Sequence, residues 1–388
     1  MKLRVFLWCA LGVAILGLAV FAGWVASLPP ATGPVVAQAI APQETSATLA
    51  ALAPPKRARP LVAIIGLNDA TETTDYLMPY GILRRSGVAD VVALATGPGP
   101  VKLYPALTVE ADATTAQFDA RHADGADYVI VPAMSRDDDP AVLQWLREQA
   151  AKGAVVIGVC AGAKVVGAAG LLDGQRATTH WYFLDELRER TPSIRYVADR
   201  RFVVNPGVAT TTGISASMPM SLTLIEAIAG REKAAAVARE LGLAHWDARH
   251  TSAAFKITRP FALTVMGNAM AFWNRERMGL GLSRGVDEVS LALVADAWSR
   301  TYRSRAVAFA ATHDAVETRH GLRVLPDEVA AQWPMERRVP AFDDRPPARA
   351  LDEALAAIER RYGGGTADVV AMQLELVRAP APQSTSGS

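Results

Sequence analysis
Four uninterrupted apolar runs set the rhythm of the chain after residue 60: LVAIIG (61–66), ADVVALA (89–95), DYVIVPA (127–133) and AVVIGV (154–159). Apolar residues at every position, without alternation, predict strands buried on both faces. Between them lie amphipathic stretches. Asp75–Ser86 predicts a helix that stops at Gly87, and Pro140–Lys152 predicts another. Further on, FVVNPGVATTTG (202–213) predicts a strand pair turning at Asn205-Pro206-Gly207, followed by helices over Met218–Ala229 and Glu232–Leu241. The strand–helix succession over 61–245 predicts an α/β domain, a mostly parallel sheet covered by helices on both sides in three α/β/α layers.

The rhythm then returns in weaker form. Ala253–Met278 is apolar and predicted helical; the order strand, acidic loop, helix, strand of Leu61–Asp112 recurs over Met278–Glu328. Thr96 and Thr312 both follow an apolar strand in this comparison. The expectation is a partial second α/β unit within 246–378, a degenerate repeat, against the simpler reading that two β-α-β starts look alike by chance. ARALDEALAAIERRYGGG and TADVVAMQLELV predict a closing helical hairpin, and APAPQSTSGS (379–388) a disordered tail.

The N-terminal 30 residues break the pattern. Lys2 and Arg4 precede an uncharged run, Val5–Leu28, that ends at Pro29-Pro30. Such a run is long enough for a transmembrane helix, which takes about 20 residues. The charge asymmetry predicts a single span of a bacterial-type inner membrane with the body on the periplasmic side. A cleaved signal, with Ala37-Gln38-Ala39 as its site and a secreted product, is the alternative. Residues 31–60, rich in Ala, Pro, Thr and Gln, read as a flexible linker.

Composition narrows the chemistry. With 388 residues, 51% hydrophobic and 20% charged, the chain is ordinary for a globular protein; its net charge of +1 gives no bulk attraction to nucleic acid. Of two cysteines, Cys9 lies inside the apolar N-terminal run, so a disulfide to Cys160 would join a membrane segment to a soluble domain. No Cys/His ligand cluster suggests a metal, and no cofactor is expected.

Chemistry concentrates at G-V-C-A-G-A, Gly158–Ala163, between the fourth apolar run and the helical pattern KVVGAAGLL. Flanking glycines permit the sharp turn of a nucleophile elbow, which lifts a side chain from the sheet's carboxyl edge. A thiol there meets a helix N-terminus, whose amide groups favour the thiolate. The competing reading is a small cysteine filling a tight turn. VIGVCAGAKVVGAAGLLDGQRATTHW (156–181) is similar to the DJ-1/PfpI family within the class I glutamine amidotransferase-like superfamily. The likeness is strongest to the sensor domains of AraC-type regulators and to isonitrile hydratases, and it covers roughly 61–245.

That resemblance implies a flavodoxin-like sheet, a homodimer, a small-molecule ligand or substrate, and a site around Cys160. It places His180, in T-T-H-W, near the sulfur, either moving protons or as a hydrogen-bonded structural residue. It places Asp75, four residues before Pro79, as the acid that shares a proton with the thiol. Asp75 competes with a plain helix-start role, and Glu72 is the other acidic candidate. Backbone amides of Ala161, Ala133 and Met134 would hold developing negative charge. Two departures stand out: Ala161 replaces the threonine of isonitrile hydratase-like members, and Ala133-Met134 replaces a glycine pair. The acidic R-D-D-D run (136–139) reads as a solvated loop. Expected functions are a hydratase, amidase or glyoxalase-like activity on a small electrophile, or alternatively ligand or redox sensing without turnover. No basic recognition helix follows Leu243, so DNA binding is not expected.

Overall fold
The computed structural model describes residues 2–30, 37–342 and 344–378; the expected disordered tail lies outside them. A seven-stranded sheet forms the centre of the first unit. Its order is Phe202–Asn205, Val208–Thr211, Val155–Gly158, Tyr128–Val131, Leu61–Gly66, Asp90–Ala95 and Ala113–Thr114. Every neighbouring pair is parallel except Phe202–Asn205 against Val208–Thr211. The uninterrupted apolar runs are explained by this layout. All six residues of Leu61–Gly66, and all four each of Tyr128–Val131 and Val155–Gly158, are buried between helical layers.

Helix Thr73–Ser86 starts two residues before its predicted beginning, because Glu72 caps it by accepting the Asp75 N–H. It stops at Gly87, whose φ of 67° is the left-handed conformation that glycine adopts without penalty. The predicted strand pair at 202–211 turns at Gly207, and the closing hairpin consists of Pro347–Tyr362 and Gly364–Gln373.

Two N-terminal expectations meet a different structure. The stretch read as a flexible linker contains a helix, Pro42–Ala51, started by proline at its first position. It is tied down because Leu52 is fully buried, its carbonyl accepts the Tyr128 hydroxyl at 2.7 Å, and Glu44 pairs with Arg200. Ahead of it, Lys2–Ser27 is helical, and Arg259 caps its end by donating to the carbonyls of Val25, Ala26 and Leu28. Among the described residues no helix is long and apolar enough to cross a membrane, so the expected span over Val5–Leu28 is not found there. Several side chains of this helix lie outside the description.

The second unit begins at Glu276. Strands Glu276–Gly281, Ser304–Ala310 and Glu328–Val329 form a parallel sheet in that order, with helix Glu288–Ser299 after the first strand. These elements follow the order of Leu61–Gly66, Thr73–Ser86, Asp90–Ala95 and Ala113–Thr114. From the helix cap onward the two series keep a constant spacing, 287 − 72 = 215, between Asp287 and Glu72. Asp287 accepts the Ser290 N–H as Glu72 accepts that of Asp75. At the same spacing, Asp327 accepts the Ala308 N–H at 2.8 Å just as Asp112 accepts that of Ala93 at 2.8 Å.

The units face each other helix to helix, Thr73–Ser86 against Glu288–Ser299. The helices pass so closely at Gly81 that a Cβ there would meet Glu288 Oε1 at 2.5 Å. Beside them, Thr108–Glu110 pairs antiparallel with Arg323–Leu325, Val109 opposite Val324, within a five-stranded sheet shared by both units. Among the described residues, no counterpart of the strands Tyr128–Val131 and Val155–Gly158 follows in the second unit. The helical hairpin packs there against Glu288–Ser299 instead.

Candidate active site
Cys160 sits where strand Val155–Gly158 gives way to helix Gly162–Ala168, with φ of 56°. A non-glycine residue in that region costs roughly 1–2 kcal/mol, which the surroundings must hold in place. They do so through three contacts. The Cys160 N–H donates to Thr211 Oγ1 at 3.0 Å, its carbonyl accepts the Thr179 hydroxyl at 3.0 Å, and the Ala161 N–H is directed at the sulfur. The flanking glycines are required by close approach. A Cβ at Gly162 would lie 2.0 Å from the Val131 carbonyl oxygen, and one at Gly158 would lie 3.0 Å from backbone atoms of Ala163.

The sulfur is enclosed, with Cys160 only 5% exposed. Burial pushes the thiol well above its ordinary range, and the Asp75 and Glu72 carboxylates push in the same direction. This opposes the lowered value expected from the helix N-terminus. The elbow helix is only seven residues long, and desolvation outweighs its dipole. Three surface clefts, beside Trp246, Arg361 and Lys56, lie elsewhere and are not lined by Cys160.

Asp75 is completely buried. Its Oδ2 accepts the Ala133 N–H at 3.1 Å, while Oδ1 has no hydrogen-bond partner, and no bond to the sulfur is formed. Burial, with the neighbouring Glu72 charge, raises its carboxyl well above the usual range. Glu72 is the helix cap. Its Oε2 accepts the Asp75 N–H at 2.6 Å and the Thr74 hydroxyl at 2.8 Å. Burial, and then the Asp296 charge, push it to about 7.

His180 has both ring nitrogens engaged. Nδ1 accepts the Tyr182 N–H at 3.2 Å, which leaves the proton on Nε2 to be donated to the Gln373 carbonyl at 3.0 Å. Burial lowers its pKa and keeps the ring neutral. Of the three candidate amides, Ala161 points at the sulfur, whereas Ala133 is taken by Asp75. Met134 lies in a bridge to Thr71 that is closed by Glu72 N–H on Ala133 O and Ser135 N–H on Ala70 O.

The second unit supplies groups that sequence reading did not find. Arg300 is fixed by two bonds to the buried Asp296, at 2.9 and 2.7 Å, and donates to Glu72 Oε1 at 2.8 Å. Burial acts against its charge, but Asp296 and Glu72 together keep the guanidinium protonated. Glu375, with φ of 54°, accepts the Gly213 N–H at 2.5 Å and pairs with His250 at 2.9 Å, beside His180. In the sequence, Asp296 and Arg300 have the spacing of an ordinary surface ion pair, which conceals their role. The R-D-D-D run is also more than a solvated loop. Asp137 is buried between Lys164 and Arg190, and Asp139 caps the helix Pro140–Ala151. Among the described residues no His/Cys/Asp/Glu group could hold a metal.

Comparison with known proteins follows this geometry. Residues 62–227 match the DJ-1/PfpI family. Isonitrile hydratase of Pseudomonas putida is 39% identical over 105 residues, covering 27% of this chain and 44% of that protein. The HTH-type transcriptional regulator CdhR of Pseudomonas aeruginosa is 36% identical over 104 residues, covering 27% of this chain and 31% of that protein. The chain thus spans less than half the length of either. Drosophila melanogaster DJ-1beta, a solved structure, aligns at 23% identity with a TM-score of 0.44, over 48% of this chain and 100% of that one.

Proposed function
Residues 62–227 belong to the DJ-1/PfpI family, and on that premise we propose that the protein is a cysteine-dependent enzyme for a small electrophile of the isonitrile, nitrile or carbonyl class. The observation that carries the reading is the juxtaposition at the elbow. A strained Cys160 receives the Ala161 N–H, and beside it lies Asp75, a buried acid whose carboxyl is pushed towards its protonated form and has one unpartnered oxygen. Sulfur adds to the electrophilic carbon, forming the S–C bond. Asp75 passes its proton to the substrate as it receives the proton leaving sulfur. On a nitrile or isonitrile, water then displaces the sulfur, releasing an amide and restoring both groups. On an α-oxoaldehyde the hemithioacetal first moves a proton from the former aldehyde carbon to its neighbour, and water then releases a 2-hydroxy acid from the resulting thioester. His180, already committed at both nitrogens, positions the T-T-H-W segment rather than carrying a proton.

The test is turnover of a panel of small isonitriles, nitriles and α-oxoaldehydes by the full chain and by Cys160→Ser. Product from the wild type, with at least about a hundredfold loss in the variant, is the expected result. Undiminished turnover in Cys160→Ser overturns the reading. The enclosure of the sulfur favours a second reading, ligand sensing without turnover. Ligand binding that survives Cys160→Ala, with no product from the wild type, would establish it.

For location, the reading is a single N-terminal anchor through residues 5–28. Its support is Lys2 and Arg4 ahead of an uncharged run, together with exposed Phe6, Trp8, Val13, Ile15, Leu16 and Val20 on one helix. Resistance of the full chain to alkaline extraction from membranes is expected; release into the soluble fraction would refute it.

A further inference from the structure
We infer that the segment Glu276–Val329 stands where a second subunit would stand, and that it delivers Arg300 to the Cys160 site as a positioning residue. The inference rests on the site reading above but draws on a separate set of contacts. The two units are related by an approximate two-fold axis. Arg85 of the first unit reaches Asp287, the cap of the second unit's helix, and Arg300 of the second unit reaches Glu72, the cap of the first unit's helix. Arg85 and Arg300 are themselves 215 residues apart, as are Glu72 and Asp287. Each helix cap is therefore neutralised by the arginine at the end of the opposite helix, a reciprocity that defines an isologous interface.

The strand pairing obeys the same axis. Glu110 faces Arg323 and Thr108 faces Leu325, while Val109 faces Val324, its own counterpart at the spacing of 215. A segment that pairs antiparallel with its own repeat lies on a two-fold axis. The symmetry then breaks where chemistry begins. Ser290 occupies the place of Asp75, and among the described residues no elbow follows, so the second unit contributes only half of a site to the first.

Arg300 acts on Cys160 through Glu72. Its Nη2–H on Glu72 Oε1 favours the carboxylate form of that group against burial and the Asp296 charge, while the other oxygen accepts the Asp75 N–H and the Thr74 hydroxyl. The same cation favours the ionised forms of Asp75 and of the sulfur. Without Arg300 the buried acids and the thiol all lose a neighbouring positive charge, and the thiolate is harder to form.

Two experiments on the full chain test this. The first follows alkylation of Cys160 by iodoacetamide against pH, read by peptide mass, in the wild type, Arg300→Gln and Arg300→Lys. Removing the cation is expected to lower the rate at pH 7 by about tenfold and move the midpoint up by about one pH unit, with lysine recovering part of both. A midpoint unchanged in either variant, whatever the change in melting temperature, overturns the positioning role. A wild-type Cys160 that does not alkylate at any pH overturns both the role and the site reading. The second introduces Glu110→Cys with Arg323→Cys and maps the disulfide formed on mild oxidation. A bond within one chain is expected. A bond between two chains, or none, overturns the internal two-fold and leaves the reading of Cys160 standing.

Discussion
The two units begin alike and diverge after their third parallel strand. In the first, the chain goes on through Tyr128–Val131 and Val155–Gly158 to the elbow; in the second, after Glu328–Val329, it turns into the hairpin Pro347–Tyr362 and Gly364–Gln373. The two units share the set of contacts that face each other: the capped helix, the arginine at its end and the strand on the axis. Among the described residues, the second has no counterpart of the elements that build the nucleophile. An interface of this kind can thus be built without a reacting centre in one of its halves, because helix packing and cap neutralisation depend on neither the sheet's far strands nor a cysteine.

The largest expected difference between the units concerns their glycines. Gly162→Ala places a methyl 2.0 Å from the Val131 carbonyl oxygen, and should destabilise the chain by about 3 kcal/mol or more. Gly364→Ala, in the hairpin that replaces the elbow, meets nothing nearer than Glu359 Oε1 at 3.4 Å. It should change stability by less than about 0.5 kcal/mol. Urea unfolding of the two variants checks the contrast, and equal losses would mean that the elbow is not the tightest point of the fold.

Next in size is a pH effect at the cap of the first unit's helix. Burial raises Glu72 from 4.5 to about 7, so the unfolded chain releases its proton first. The stability from this group is fully present below pH 4.5 and declines as pH rises to about 7. The loss is on the order of 2 kcal/mol, and Glu72→Gln should flatten it. Denaturation at several pH values is the measurement; an unchanged slope in the variant would remove Glu72 as its source.

Smaller still, and a direct check on equivalence, are Asp112→Ala and Asp327→Ala. Each carboxylate accepts one strand amide at 2.8 Å. The two variants should cost the same, about 1–2 kcal/mol each, since each leaves an amide without its acceptor. Costs that differ severalfold would show that only one of the two retains a structural role. The smallest effect is expected on the axis itself. Arg323→Ala removes an exposed bond to Glu110 and should cost under about 1 kcal/mol, decreasing further in salt.

Much of the first unit was legible because its strands are buried on both faces and write themselves as unbroken apolar runs. The elbow was legible for a related reason: a nucleophile between glycines, after a strand and before a helix, leaves few alternatives. The second unit showed in the order of its elements, but its register did not, since Glu72 has become Asp287 and Asp75 has become Ser290. The part of the site that escaped was long-range. Nothing local in Asp296-x-x-x-Arg300 says that it reaches Glu72, and nothing in T-T-H-W says that a carbonyl from residue 373 occupies the imidazole. Helix Pro42–Ala51 escaped because the anchoring of Leu52, through its side chain and carbonyl, adds no periodic pattern to the residues before it.

The pairing of Val109 with Val324 also bears on how the molecule responds to dilution. Two separate chains would dissociate as their concentration fell, but segments tethered on one polypeptide meet at a fixed local concentration, on the order of millimolar for a flexible connection. The contact between the two units should therefore survive dilution, and Arg300 stays beside Glu72 even when a cell holds only a few copies.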